Sequence, residues 1–256
     1  MQHLFTPEGE AALAAALRQR PLLAFDFDGT LAPIVARPAD ARLSQAVSAR
    51  LKALAAQLPV AIVTGRAVQD VRGRLGFEPT YIVGSHGAED PDDPAAGAAH
   101  AHRLDRLRDR LRARQAELAT AGVVVEDKGA SLALHYRLAR QRDRAQALIT
   151  DVLSPSDPDW CVFGGKMVVN VTSRDAPDKA ASVHALVARC GAVSAVFAGD
   201  DVNDEPVFES ALPGWLTIRI GRAERTSRAR YFLDSPSEMA MLLARMLVLL
   251  PLLDSH

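Results

Sequence analysis

Cysteine is scarce in this chain of 256 residues: Cys161 and Cys190 are the only two, and no C-x-x-C pair occurs. That excludes a disulfide framework and a thiolate zinc cluster, and it fits a reducing compartment. Charge of one sign is not in excess either. The formal net charge is −1 and the pI about 6.7, which excludes a wholesale basic surface for nucleic acid. Long apolar runs are missing. The most apolar stretch, "MAMLLARMLVLLPLL", is interrupted by Arg245 and Pro251 and is too short to span a bilayer. It follows Ser235-Pro236-Ser237-Glu238, which reads as a capping box opening a buried C-terminal helix. The N-terminal "MQHLFTPEGE" has no basic region followed by an apolar one, so no secretory signal is expected. These absences together predict a cytoplasmic protein with no membrane and no nucleic-acid partner, and a monomer is expected.

What the chain does contain is an alternation of short apolar runs with helical stretches. A helix is predicted from Thr6-Pro7 to Arg18, then a strand over 22–25. "ARLSQAVSARLKALAAQL" has apolar residues at helical spacing, and "PVAIVTG", "TYIVGS", "SAVFAGDD" and "WLTIRIG" read as further short strands. A helix through Leu75 and another over "DKAASVHALVARCG", with Gly191 at its C-cap, fall between them. Strands of this length separated by helices imply βαβ units and a doubly wound, Rossmann-like parallel sheet. The middle breaks the rhythm. "AEDPDDPAAGAAHA" reads as a linker, followed by a leucine stripe (Leu104, Leu107, Leu111, Leu118). Two strand pairs then follow, turning at Lys128-Gly129 and at Gly164-Gly165, with a helix through Leu153 between them. We therefore expect an α+β insert over 89–175 in a core made of 1–88 and 176–256. The insert's arginines alternate with Asp105, Asp109 and Glu117, which marks a solvated face.

The chemistry sits at the strand ends. In "LLAFDFDGTLAP", Asp26 and Asp28 are two residues apart, so both point the same way just past a strand's C-terminal edge, where open α/β sheets bind ligands. Crowded carboxylates resist ionisation without a cation. "FAGDDVNDE" adds Asp200, Asp201 and Asp204 after another apolar run, and so many hard oxygen donors suit Mg²⁺. "AIVTGR" offers the Thr64 hydroxyl and neighbouring backbone N–H groups, and "DKAASV" puts Lys179 at a helix start, the wrong end of the dipole for a free lysine. A carboxylate nucleophile, a cation, a hydroxyl and an ammonium make a phosphoryl-transfer set.

"DFDGT", "TGR", Lys179 and "GDDVNDE" resemble, in order, the four motifs of the haloacid dehalogenase-like (HAD) phosphatases. The resemblance implies a HAD core with an inserted cap between the second and third motifs. It makes Asp26 the nucleophile, Asp28 the general acid/base, and Thr64 and Lys179 the phosphoryl-binding groups. Mg²⁺ would be held by Asp26, the Asp28 backbone carbonyl and Asp200, with Asp201 and Asp204 around them. In finer detail "GDDVNDE", "VGSHGAE", "VEDKGASLALHYR" and "GGKMVVNV" are similar to segments of the trehalose-6-phosphate phosphatase family. That implies trehalose 6-phosphate as substrate and adds Gly65, Arg66, His86, Glu126, Lys128, Arg137 and Asn170 as substrate-binding residues. Asn170 stands where that family carries a sugar-binding Glu, Asn203 replaces its Thr, and Ala180 replaces its Gly. Two alternatives stay open: a phosphatase of sucrose phosphate or hexose phosphates, and a non-catalytic sugar-phosphate sensor.

Overall fold

The computed structural model describes residues 1–35, 37–155, 157–221 and 226–253. In chain order the elements are β1 (Gln2–His3), α1 (Pro7–Arg18), β2 (Leu22–Phe25), α2 (Gln45–Ala55), β3 (Val60–Val63), α3 (Val68–Leu75) and β4 (Tyr81–Val83). Then come α4 (Pro94–Arg103), α5 (Asp105–Ala113), α6 (Gln115–Thr120), β5 (Val124–Asp127), β6 (Ser131–His135), α7 (Arg142–Val152), β7 (Trp160–Gly165) and β8 (Val168–Ser173). The chain returns through α8 (Lys179–Arg189), β9 (Ala195–Gly199), α9 (Glu205–Glu209), β10 (Leu216–Ile220), β11 (Tyr231–Leu233) and α10 (Pro236–Leu253).

Seven strands form one parallel sheet in the order β1-β11-β10-β9-β2-β3-β4. Every residue of β2, β3, β9 and β10 is buried because helices cover both faces. Leu23 and Phe25 point to the layer holding Leu13, Leu51, Val71 and Leu242; Leu22 and Ala24 point to the layer holding Val183, Leu186 and Phe208. The period of two is thus present, but both faces are apolar, so the sequence shows an unbroken run. Helix starts are set locally. Thr6 accepts the Gly9 N–H at 3.2 Å, and Asp178 accepts the Ala181 N–H at 2.8 Å.

The insert is a four-stranded antiparallel sheet, β5-β6-β8-β7, with helices on one face only. Leu132, Leu134 and Val171 join Leu104, Leu107, Leu118, Ile149 and Trp160 in its core. The other face carries a cross-strand row, Glu126–Ala133–Asn170–Phe163, and looks toward the parallel sheet's C-terminal edge. A helix-flanked parallel sheet with an inserted α+β unit is the architecture the sequence predicted.

Four local expectations are corrected. The stretch 88–101 is not a bare linker, because Pro94 starts α4 with Asp93 as its cap. Gly164 and Gly165 lie inside β7, and the chain reverses at Lys166-Met167, with Met167 in the left-handed region at φ 63°. The capping box of α10 is displaced: Glu238 accepts from the Asp234 N–H at 2.6 Å and meets His3 at 3.1 Å, while the Ser235 hydroxyl turns to Ser237. That helix is also only half buried. Met239, Leu242, Leu243 and Met246 face the core, and Met241 and Val248 face solvent.

Leu51 of α2 is fully buried in the layer where α2 packs on α10. Leu51→Ala is expected to lower stability by about 2–5 kcal/mol in urea unfolding, whereas Lys52→Ala, on the exposed face, should change it by less than about 0.5 kcal/mol.

Candidate active site

The ends of β2, β3 and β9 meet the start of α8. Past β2 the chain turns sharply: Leu31 and Ala32 donate their N–H groups to the Phe27 carbonyl at 3.0 and 2.9 Å. Gly29 is at φ +80°, and a Cβ there would lie 2.1 Å from Asp200 Oδ2. Only glycine lets the β9 loop bring Asp200 against the β2 loop.

Lys179 is the centre of the floor. Its Nζ lies 2.8 Å from Asp26 Oδ1 and 2.7 Å from Asp204 Oδ1, and all three residues are buried. Burial alone lowers an ammonium pKa, but Asp204 and Asp26 outweigh it and hold Lys179 charged, above the ordinary lysine range. Asp204 uses its other oxygen on the Asp200 and Asp201 N–H groups, each at 2.9 Å. It therefore braces both the lysine and the loop. Asp201 accepts the Val202 N–H at 2.8 Å and caps the short 3-10 turn over 202–204.

Burial raises the Asp26 carboxyl well above the usual range, and Asp204 and Asp200 add to the rise against the pull of Lys179. Burial likewise pushes Asp200 up to about 6, with Lys166 opposing it. One oxygen each of Asp26, Asp200 and Asp204 lies within 4.8 Å of the others. A divalent cation fits this donor set. It needs hard oxygens, and these are buried carboxylates whose mutual repulsion it would relieve. Since both Asp204 oxygens are already bonded, Asp26 and Asp200 are the side chains with donor capacity left for it.

Asp28 lies at the rim with Arg66, whose Nε and Nη2 meet its two oxygens at 2.7 Å each. Thr64 is buried, and its Oγ1 accepts the Arg66 backbone N–H at 3.2 Å. Ser85 and His86 are both in the left-handed region, at φ 51° and 62°. That conformation lays the His86 ring where a side chain at Gly65 would be: a Cβ there would meet His86 Cε1 at 2.4 Å. Burial, then Lys179 and Lys128, keep His86 neutral, while a hydrogen bond to Asn170 partly opposes them.

The cap closes the cavity of about 580 Å³ from above. Lys128 Nζ donates to the Gly65 carbonyl at 2.9 Å, and burial lowers its pKa. Glu126 meets His135 Nε2 at 2.8 Å, and that bond holds its carboxyl below the usual range. Phe163 meets the His86 ring edge-on at 5.1 Å. Arg137 also lines the cavity, near the Lys166 carbonyl. Asn170 is 3% exposed and bonded to His86. The site residues singled out from the sequence line this cavity except Thr64 and Asp204, which are buried beneath it; Arg66 and Asn170 direct their polar groups mainly at neighbouring protein groups.

Sequence reasoning missed two residues. Lys166, at the tip of the β7–β8 turn, puts Nζ 2.5 Å from Asp200 Oδ2. The available signal was its place in "GGKMVVNV", the segment similar to the family's. Arg219 is buried in β10 and donates to the Asp200 carbonyl at 3.1 Å and to Glu205 at 2.7 Å. A lone arginine in the middle of the buried strand "LTIRI" was the available signal.

The fold is that of a solved haloacid dehalogenase-like hydrolase from Bacteroides thetaiotaomicron, with a TM-score of 0.62 at 14% identity over 88% of this chain and 99% of that one. The family model described as Trehalose-phosphatase matches residues 24–237, and the chain belongs to that family. A Mycolicibacterium paratuberculosis protein named trehalose-phosphate phosphatase is 35% identical over 244 residues, covering 87% of this chain and 61% of that one. A Sinorhizobium fredii protein named probable trehalose-phosphate phosphatase is 35% identical over 240 residues, covering 89% of this chain and 88% of that one. The chain spans about three-fifths of the length of the mycobacterial trehalose-phosphate phosphatases it matches. In fold it resembles the C-terminal domain of C. albicans trehalose-6-phosphate phosphatase, with a TM-score of 0.76 at 22% identity over 94% of this chain and 96% of that one. Among the described residues no helix is long and apolar enough to cross a membrane.

Protons and cations compete for Asp200. Its raised carboxyl is protonated below about pH 6, so Mg²⁺ affinity of the chelated protein should fall as pH drops through that value, approaching tenfold per unit. Lys166 competes as well. Lys166→Met should tighten Mg²⁺ binding by about two- to fivefold at alkaline pH, where Asp200 is ionised without it, and less near neutrality, because Lys166 also holds the Asp200 pKa down. Calorimetric titration with Mg²⁺ from acid to alkaline pH checks both.

Proposed function

We propose that this chain hydrolyses trehalose 6-phosphate to trehalose and phosphate, using Mg²⁺ and an aspartyl-phosphate intermediate. The observation that carries the reading is the buried Asp26–Lys179–Asp204 triplet at the floor of a cavity roofed by Glu126, Lys128 and His135. Lys179 holds Asp26 through Oδ1, which fixes the carboxylate that attacks. The bond from Asp26 to phosphorus forms as the bond to the sugar's 6-oxygen breaks, and Asp28 gives that oxygen its proton. Asp28 then takes a proton from the water that attacks phosphorus, releasing phosphate and regenerating Asp26. Thr64 and Lys179 bind the phosphoryl oxygens where charge grows. A magnesium ion held by Asp26, Asp200 and the Asp28 carbonyl would supply charge neutralisation for nucleophile and phosphoryl group.

Sugar selection falls to the cap. With Asn170 turned to His86, Glu126 is the cap's carboxylate on the cavity, beside His135, Lys128 and Arg137. The HAD fold is shared by phosphatases of other sugars, so the deciding experiment is phosphate release from a panel of trehalose 6-phosphate, sucrose phosphate and hexose phosphates, with substrate in excess. Trehalose 6-phosphate should lead. A stoichiometric signal without turnover would instead mark a sensor.

Asp26→Asn should cut turnover by on the order of 10³-fold or more with the fold intact by circular dichroism, since the nucleophile and its partners act as a unit. Activity within about tenfold of the parent would sink the nucleophile. Glu126→Ala should lower kcat/KM for trehalose 6-phosphate by roughly 10–1000-fold while changing hydrolysis of a small aryl phosphate by less than about threefold. Equal losses on both substrates would make the hairpin structural.

A further inference from the structure

Arg66 is held in a way that gives it a partner other than substrate. Besides its two bonds to Asp28, Nη1 donates to Asp70 at 2.8 Å and Nη2 to the Pro38 carbonyl at 2.9 Å. Its guanidinium carbon stands 5.3 Å over the Phe27 ring. Asp70 is itself gripped by Arg74, which also bonds the carbonyls of Ala39 and Ala41. The side chain is 10% exposed, whereas that of Asp28 is 42% exposed. Arg66 is thus locked by α3, the loop at 38–41 and an aromatic face, while Asp28 has one side on Arg66 and the other on the cavity.

A guanidinium meeting both oxygens of a carboxylate fixes its plane and its side-chain torsions as a single point charge cannot. A proton carrier needs that constraint, because the proton must travel to one oxygen in one direction. Because Asp70 and Pro38 hold the guanidinium independently, it stays in place when Asp28 carries the proton and the pair weakens. We infer that Arg66 is a positioning residue: it aims Asp28 at the bridging oxygen and at the attacking water, and it acts through Asp28 instead of through the sugar. The inference rests on the reading of Asp28 as the proton carrier given above.

The test uses a series of substituted phenyl phosphates and reads the slope of log kcat/KM against leaving-group pKa. An effective general acid flattens that slope, because it supplies the proton that a poor leaving group needs. Asp28→Asn should steepen it. Arg66→Gln should steepen it in the same direction, and Arg66→Lys, which keeps the charge but not the fork, should fall between Gln and the parent. In an Asp28→Asn background, Arg66→Gln should cost less than about threefold further, because its partner is already gone. If Arg66→Gln slows the reaction with the parent's slope, or if the two losses multiply, Arg66 is a substrate contact and the inference fails. If Asp28→Asn itself leaves the slope unchanged, the proton-carrier reading is what fails. Circular dichroism and the thermal midpoint show whether each variant folds, and Arg66→Lys keeps the test available should Arg66→Gln not fold.

Discussion

Everything at the site is arranged around one buried ammonium. Lys179 is 4% exposed, with Asp26 and Asp204 both within 2.8 Å. Two carboxylates on one lysine leave an excess of buried negative charge, and Asp200 adds to it. A buried ion pair of this kind is weak support for stability, because desolvation cancels most of the attraction. Its value lies in what it ties together. Asp26 follows β2, Asp204 follows β9 and Lys179 starts α8, so the three segments are brought to a common point, and the remaining anionic excess is what draws a cation.

The surrounding constraints follow from that point. Asp204 holds the lysine with one oxygen and the Asp200–Asp201 backbone with the other, so loop and lysine are positioned together. Arg219 holds the same loop from behind through the Asp200 carbonyl. Gly29 gives the Asp200 carboxylate room. Cap and core meet across the cavity through polar contacts: Lys128 on the Gly65 carbonyl, Lys166 on Asp200, and Asn170 on His86. Polar contacts over a cavity separate at far less cost than a packed apolar interface, which suits a cap that has to admit and release a ligand.

The fold was legible where local rules and tertiary packing agree. Strands covered on both faces are unbroken apolar runs, and 22–25, "AIV" and "VFA" were found for that reason. Thr6-Pro7 marked one helix start and "DKAASV" another. Legibility failed where a longer-range partner overrode a local signal. Gly164-Gly165 looked like a turn, but the pairing of Phe163 with Asn170 and of Gly165 with Val168 carries the strand two residues further. Glu238 looked like half of a capping box, but it bonds one residue earlier and meets His3 from the other end of the chain.

The sequence by itself determined the carboxylates at the strand ends, the threonine and the lysine, because their spacing follows from strand geometry and from the chemistry of a phosphoryl group. Its break in the strand–helix rhythm marked an α+β insert in the middle of the chain, and the resemblance to a known family, not any local pattern, pointed to Glu126, Lys128 and Asn170 within it. Only the tertiary structure decided what each charge faces: that Arg66 grips Asp28, that Asn170 turns to His86, and that Lys166 and Arg219 reach Asp200. These pairs are separated by between 19 and 84 residues. No local pattern relates them, because a side chain's partner is set by how distant strands and helices stack, and a charged residue in sequence carries no mark of the charge it will meet.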